Sequence, residues 1–169
     1  MTKLLNARNR QGFTLIEIIG VLIVVGILAA IVITRAMSTT NMGRVAQESI
    51  IKNHLRYAQS LAMKQGTIWG IKCDGADYWL FRTIDPDATS NQRALPGEEN
   101  TKVALADKNI TMSIFIVFFD ANGRPYTAYT NETTNTPVSA SNPLSITVDS
   151  APSSAAATIG ITAETGFMQ

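Results

Sequence analysis

The hydrophobic and polar positions divide the chain into three stretches with different patterns. Residues 13–33 are apolar apart from Thr14 and Glu17. As a helix, this segment would span about 31 Å, close to the thickness of a bilayer core. The next stretch has a helical period, and beyond residue 66 the period becomes two, which is typical of strands. We therefore expect a long N-terminal helix followed by a β-rich domain.

The second stretch predicts an amphipathic continuation of the first helix. Ile51, Leu55, Ala58 and Ala62 recur at helical spacing and form one apolar face. The charged side chains lie largely off that face: Arg44, Glu48, Lys52, Arg56 and Lys64. Gly66 is the expected C-cap, so the helix is predicted over residues 13–65, about 80 Å in length.

The third stretch predicts a small antiparallel β domain. Turns are expected at Asp74-Gly75, over residues 120–123 and at Gly166, and polar loops over residues 85–100 and 131–142. The expected strands cover residues 67–72, 76–83, 110–119, 126–130, 144–148 and 156–162. The predicted fold class is therefore α+β, with the helix packed on an antiparallel sheet.

The charges are balanced over the whole chain but unevenly placed along it. Lys and Arg total 14 and Asp and Glu total 13, which gives no bulk case for nucleic-acid binding. Lys3, Arg8 and Arg10 precede the apolar run without any acidic residue. By the positive-inside rule, this asymmetry predicts a cytoplasmic N-terminus and an exported domain after Ile33.

Two ordinary targeting segments compete as interpretations of the apolar run. A secretory signal peptide has an apolar region of about 7–15 residues that ends at a small-x-small cleavage site. The run here is longer, and residues 34–37 (Thr-Arg-Ala-Met) offer no such site. A plain signal anchor accounts for the run but leaves Glu17 unexplained.

Glu17 is the residue that distinguishes this apolar run. An acidic side chain deep in a membrane segment costs roughly 2.5–3.5 kcal/mol on insertion scales, so it is a functional candidate. The alternative is that Glu17 lies near the membrane interface and only stabilises the start of the helix.

Residues 12–17, Gly-Phe-Thr-Leu-Ile-Glu, resemble the processing motif of type IV prepilins, and residues 26–30, Gly-Ile-Leu-Ala-Ala, are similar to the anchor of that family. In the family, a membrane peptidase cuts after the glycine and methylates the new amine. The resemblance implies a cut between Gly12 and Phe13, N-methylation of Phe13, and pairing of Glu17 with the amine of a neighbouring subunit. The proline that pilins commonly carry after the apolar core is absent from residues 33–35.

The resemblance also implies a domain organisation, a location and partners. Residues 1–12 would be a leader peptide, 13–34 a transmembrane and filament-core helix, 35–66 an amphipathic helix, and 67–169 the β head of a pilin fold. The protein would cross the bacterial inner membrane once, with its head in the periplasm, and then enter a filament. Its expected partners are prepilin peptidase, other pilin or pseudopilin subunits and an inner-membrane assembly platform.

The head contains a second set of recognisable residues. The segment 118–125 reads Phe-Phe-Asp-Ala-Asn-Gly-Arg-Pro, a Ser-Ile-Thr-Val strand follows, and residues 159–166 close the chain. This order resembles the minor pseudopilin H and FimT-type family. Two features depart from related proteins: Phe167 follows Gly166 where an arginine is often found, and the paired cysteines of many major pilins are missing.

The sequence predicts no catalytic residue, metal site or cofactor. It contains no Ser/His/Asp set, phosphate loop or zinc helix. The only histidine, His54, is expected to face solvent, and the only cysteine, Cys73, is expected to be buried. Asp120-Ala121-Asn122-Gly123 imitates the start of a calcium loop but lacks the distant glutamate, so a hairpin turn is expected. Four further acids are expected in turns: Asp74, Asp77, Asp85 and Asp87.

These features favour a structural, minor subunit of a type II secretion pseudopilus or type IV pilus, and not an enzyme. The alternative is a pilin-like binding module whose head binds DNA, a surface or a secreted substrate. Residues 125–169 contain no Lys or Arg, which argues against a basic DNA-binding tail. A basic patch formed by Lys102, Lys108 and Arg124 stays open as the DNA-binding alternative.

Overall fold

A computed structural model gives the fold of residues 14–150 and 156–169, without describing the side chains of residues 31–44. The chain divides into two compact units, residues 1–38 and 39–169. The predicted leader, residues 1–12, lies outside the described residues. Helix α1 (Leu15–Gln65) is 51 residues long, and the β-strands all lie in the second unit.

Both ends of α1 have residues that suit a helix terminus. At the start, the Glu17 amide donates to the Thr14 side-chain oxygen at 3.4 Å and to the Thr14 carbonyl at 3.1 Å. At the end, Gly66 adopts φ +63°, and its amide donates to the Ala62 carbonyl at 2.9 Å. The prediction that the helix ends at residue 65 with Gly66 as its cap is confirmed.

Ten antiparallel strands and two short 3-10 helices, Thr89–Asn91 and Ala106–Lys108, make up the rest of the described chain. The strands are β1 (Trp69–Cys73), β2 (Asp77–Arg82), β3 (Gln92–Arg93), β4 (Lys102–Ala104), β5 (Thr111–Met112), β6 (Phe115–Phe119), β7 (Pro125–Tyr129), β8 (Asn135–Pro137), β9 (Leu144–Asp149) and β10 (Ala157–Ile161).

The strands form two sheets. The larger has the order β3-β2-β1-β6-β7-β8, with β4 also paired to β2, and the smaller has the order β10-β9-β5. In the centre of the larger sheet, Trp69 lies opposite Arg82 of β2 on one side and Phe119 of β6 on the other. This arrangement confirms the predicted α+β class, which is consistent with a pilin fold.

The main core lies between the C-terminal half of α1 and the two sheets. The predicted apolar face is confirmed, since Ile51, Leu55, Ala58 and Ala62 are all buried. They share one cluster with inward side chains of both sheets, among them Trp69, Ile71, Tyr78, Leu80, Phe119, Ile146, Val148, Ile159 and Ile161. Burying each large aliphatic side chain contributes about 1.5–3 kcal/mol, so this face attaches the helix to the sheets.

A second apolar cluster covers the other face of the larger sheet. Successive side chains of a strand point to opposite faces, so Tyr78 and Leu80 enter the main core while Trp79 and Phe81 enter the second cluster. Phe118 of β6 completes it together with Tyr126 of β7. The larger sheet therefore has apolar side chains on both faces.

The prediction of one strand over residues 110–119 is wrong. The chain forms β5 in the smaller sheet and then β6 in the larger one. Ser113 lies at the change: its amide donates to the Thr147 carbonyl at 3.0 Å, and its hydroxyl accepts from the Thr147 amide at 3.0 Å. Because the residues on both sides are apolar, the hydrophobic pattern does not reveal the change of sheet.

The predictions of two polar loops are wrong in part. The loop over residues 85–100 contains a 3-10 helix and β3, and the loop over residues 131–142 contains β8. The short strand β4 was not predicted at all. All three strands lie at or beside a sheet edge, where backbone hydrogen bonds suffice for pairing whatever the polarity of the side chains.

Candidate functional site: the N-terminal segment

The candidate site is the beginning of α1, where the sequence motif lies. Gly12 and Phe13 lie outside the described residues, so cleavage between them and methylation of Phe13 stay predictions. Thr14 and Glu17 are described, as are the apolar side chains up to residue 30.

Glu17 lies in the first turn of α1, three residues after its N-cap. The order Thr14-x-x-Glu17 is that of a capping box, in which the two side chains would each accept from the other residue's amide. Only half of this pattern forms, since the Glu17 amide donates to Thr14 Oγ1. Among the described residues, the Glu17 carboxylate has no hydrogen-bond or ion-pair partner. The carboxylate is exposed and available to another molecule.

The position of Glu17 also stabilises its own helix. The N-terminus of a helix carries a partial positive charge, and an acidic side chain in the first turn contributes about 0.3–1 kcal/mol at an exposed site. This interaction supports the alternative role as a helix-start residue. The interaction with the helix N-terminus does not use the hydrogen-bonding capacity of the carboxylate. Glu17 can therefore stabilise the start of the helix and also pair with a neighbouring subunit.

The apolar side chains that follow Glu17 are exposed around the whole helix. The two that precede it are exposed as well, Leu15 at 78% and Ile16 at 75%. The same holds for Ile18, Ile19, Val21, Leu22, Ile23, Val24, Val25, Ile27 and Leu28. A helix that is hydrophobic on every side is normally surrounded by other apolar groups. The described part of the chain does not supply them.

The predicted membrane segment, residues 13–34, extends beyond the residues whose side chains are described. Within the described part of the chain, no helix has the length and apolar character required to cross a membrane.

The prokaryotic N-terminal methylation motif matches residues 7–33 of this chain. The match supports a type IV pilin-like protein of the prepilin type. It includes both segments on which the resemblance rests, residues 12–17 and 26–30. No curated protein and no solved structure shows a significant match to the chain. The resemblance of the head to the minor pseudopilin H and FimT-type family is therefore not confirmed.

In the β domain, residues 67–169, the predicted hairpin turn at residues 120–123 is confirmed. One Asp120 carboxylate oxygen accepts from the amides of Asn122 and Arg124, both at 2.9 Å. The other accepts from the Tyr126 hydroxyl at 3.0 Å. Burial, and after it this hydrogen bond, raises the pKa of Tyr126 to about 12. Among residues 14–150 and 156–169, no group of three or more His, Cys, Asp or Glu side chains could hold a metal ion.

Two of the four other predicted turn acids stabilise turns. Asp74 accepts from the amides of Ala76 and Asp77, which holds its pKa below the usual range, and Asp85 accepts from the Asp87 amide. Asp77 instead begins β2. Asp87 forms an ion pair with Lys72 at 2.6 Å, across the outer face of the sheet.

The three basic residues of the alternative DNA-binding patch have separate partners. Lys102 lies over the Trp79 ring at 4.1 Å, and Lys108 pairs with Glu98 at 2.9 Å. Lys102 and Lys108 line one groove of the head, whereas Arg124 pairs with Glu164 and lines another. The three cations therefore do not form one patch, and two of them are neutralised by acids.

Cys73 and His54 are both buried, which confirms one prediction and contradicts the other. Burial raises the pKa of the Cys73 thiol, as expected for an inert core cysteine. His54 is only 4% exposed, because it lies on the same helical face as Ile51 and Ala58. That spacing was visible in the sequence, so helical periodicity could have identified His54 as buried.

Proposed function

We propose that this chain is a structural, minor subunit of a type II secretion pseudopilus or a type IV pilus. The observation that carries the proposal is the methylation motif over residues 7–33, with the exposed carboxylate of Glu17 in the first helical turn. In this proposal, prepilin peptidase cuts between Gly12 and Phe13 and methylates the Phe13 amine.

Glu17 is the proposed assembly residue. The methylated amine of Phe13 remains positively charged, and Phe13 precedes Glu17 by four residues in the sequence. Leaving either charge unpaired in or near lipid is costly. Pairing the carboxylate with the amine of a neighbouring subunit removes both costs. It also sets the axial stagger between adjacent helices.

The proposed anchor is the helix over residues 13–34, before assembly a single-pass segment of the inner membrane. The exposed apolar side chains after Glu17 support this role, because lipid or neighbouring helices would cover them. The basic residues Lys3, Arg8 and Arg10 favour a cytoplasmic N-terminus and a periplasmic head. The motif segment at residues 118–125 supports a minor pseudopilin H or FimT-type head.

The proposal is tested by following three variants in a strain that assembles the filament. Glu17→Val is expected to insert and be cut but to be depleted from sheared filaments. Gly12→Val is expected to retain residues 1–12, because a side chain at the scissile bond blocks the peptidase. Glu99→Val removes an exposed head carboxylate and serves as the matched control.

Intact-mass measurement of membrane and filament fractions shows both whether each variant is cut and whether it enters filaments. Normal incorporation of Glu17→Val would mean that Glu17 is only a helix-start residue. Cleavage of Gly12→Val before Phe13 would contradict the processing site. The minor role predicts a copy number far below that of the most abundant subunit in the same filaments.

A further inference from the structure

His54 lies where three elements of the head meet. It projects from α1 towards Tyr78 of β2 and towards the backbone of the segment 94–101, which connects β3 to β4. His54 is 4% and Tyr78 is 2% exposed. The ring is thus a polar, titratable group inside the main core, and the proposed assembly role does not use it.

The two hydrogen bonds of the ring determine its protonation state. Nε2 lies 3.1 Å from the Pro96 carbonyl oxygen, which can only accept, so Nε2 carries the hydrogen. Nδ1 lies 3.1 Å from the Tyr78 hydroxyl and accepts a hydrogen bond from it. A single neutral tautomer therefore satisfies both ring nitrogens and both partners.

A proton added at Nδ1 disrupts this arrangement. The new N–H would face the hydroxyl that had been its donor, so the hydroxyl would have to turn and accept. Within the described residues, the Tyr78 hydroxyl has no other hydrogen-bond partner to receive its own proton. Protonation therefore leaves one buried donor unsatisfied and places a charge in the core.

The surrounding charges do not compensate for the added proton. Tyr78 of β2 is neutral, since burial raises its pKa. Glu98, from the segment 94–101, favours the charged ring, and Lys108, from the second 3-10 helix, opposes it. These two are paired with each other at 2.9 Å. Burial is the largest influence and lowers the pKa of His54.

The segment 94–101 is the cover that can move away from the ring. It connects two strands of two and three residues, both at the β2 edge. It is held by the buried Leu95, the Pro96–His54 hydrogen bond and the Glu98–Lys108 ion pair. Strand β2 is instead paired with β1 from Tyr78 to Arg82. Water would thus reach the ring most easily if this segment lifted.

We propose that His54 is an acid-sensitive clasp whose protonation releases the segment 94–101 from α1 and opens this side of the head. The direction follows from the lowered pKa of His54 in the closed form. In the closed form, the segment 94–101 covers the ring. This form has its full stability above the ordinary histidine pKa of about 6.5, and it loses stability as the pH falls from there towards the lowered pKa. Between the pKa of His54 in the open form and its pKa in the closed form, the ratio of open to closed molecules rises about tenfold for each unit by which the pH falls.

His54 is the only histidine, so its ring signals can be followed without ambiguity in the full chain in detergent micelles. Nuclear magnetic resonance is expected to show the Nε2–H tautomer at pH 7.5 and a titration midpoint below 6.5. Hydrogen exchange of residues 94–101, corrected for the intrinsic pH dependence, is expected to be faster at pH 5 than at pH 7.5, with β6 as the reference strand. A midpoint at or above 6.5, or equal corrected exchange, would overturn the proposal.

Two variants test whether the opening depends on the titration of His54 or only on how its side chain packs. Tyr78→Phe removes the donor to Nδ1 but keeps the ring, so the titration midpoint of His54 and the onset of opening are both expected to move to higher pH. His54→Gln keeps a polar side chain that does not titrate, so the exchange of residues 94–101 is expected to be the same at both pH values. Persistence of the acid response in His54→Gln, or an unchanged midpoint in Tyr78→Phe, would contradict the proposal.

Discussion

Gly70 of β1 lies directly opposite Phe81 of β2, and the Phe81 ring occupies the space that a side chain at residue 70 would need. A methyl group there would also overlap the carbonyl oxygen of Val117 in β6. The Phe81 ring packs edge-to-face on Phe118, with centroids 5.1 Å apart. A glycine inside a central strand thus has a packing reason: it admits the aromatic cluster on the outer face.

Gly70→Ala is expected to destabilise the head strongly. Overpacking a filled site costs about 1–3 kcal/mol, and the upper part of this range is expected because a backbone carbonyl must shift as well as a ring. Gly160→Ala in β10 is the matched control, since a methyl group there meets no atom within 4 Å. Thermal unfolding followed by near-ultraviolet circular dichroism should separate the two. Similar midpoints for both variants would refute the steric explanation.

Gln59 is expected to hold the helix, the β6–β7 turn and the C-terminal turn together. Its side-chain nitrogen donates to the carbonyls of Gly123 and Thr165, each at 2.8 Å. Gln59→Ala should lower the free energy of unfolding by about 1–3 kcal/mol, because two carbonyls lose their donor. Gln59→Glu should lower it further, because a carboxylate would face both carbonyl oxygens.

The control for Gln59 is Asn53→Ala, at an exposed position of the same helix. It should change the free energy of unfolding by less than about 0.5 kcal/mol. Urea titration of all three variants gives the comparison. If Gln59→Ala unfolds at the same urea concentration as the unmodified protein, the bridging role is wrong.

A fragment of residues 37–169 is expected to fold without the N-terminal segment. The unit of residues 39–169 contains both sheets and the apolar helix face that covers them. The fragment should be soluble and monomeric by light scattering and should give a mixed helix and strand circular dichroism spectrum. A wholly helical spectrum, or aggregation, would show that the head needs the preceding residues.

The orientation of the head can be tested with the chain's own cysteine as an internal control. Cys73 is buried and its pKa is raised, so it should resist thiol reagents until the protein is unfolded. Thr134→Cys places a thiol in the exposed β7–β8 connection. In spheroplasts, a membrane-impermeant reagent is expected to label Thr134→Cys and not the unmodified chain. Labelling only after lysis would reverse the proposed topology.

Local and periodic signals were sufficient for much of the described fold. The helix end at Gly66, the apolar face through Leu55 and the hairpin turn at Asp120 each depend on residues within a few positions of one another. Their physical causes act over the same short range. They are the left-handed backbone conformation of a glycine, the helical repeat, and the capping of a turn by a side chain. The candidate site shares this property, since its motif is contiguous from Gly12 to Glu17.

The rest depended on contacts between distant residues. The burial of His54 follows from its place on the apolar helix face, but its partners Tyr78 and Pro96 are 24 and 42 residues away. The bridging role of Gln59 depends on carbonyls 64 and 106 residues away. No local pattern contains such partners.

The α+β class, the helix with its buried face and the processing motif could be predicted from the sequence, because periodicity and motif spacing are properties of neighbouring residues. The packed structure was needed to show that the chain changes sheets at Ser113, that polar segments pair as edge strands, and that His54 is enclosed by three elements. Strand pairing is made by backbone groups common to nearly all residues, and burial depends on which surfaces meet. Both are therefore settled when the whole head packs.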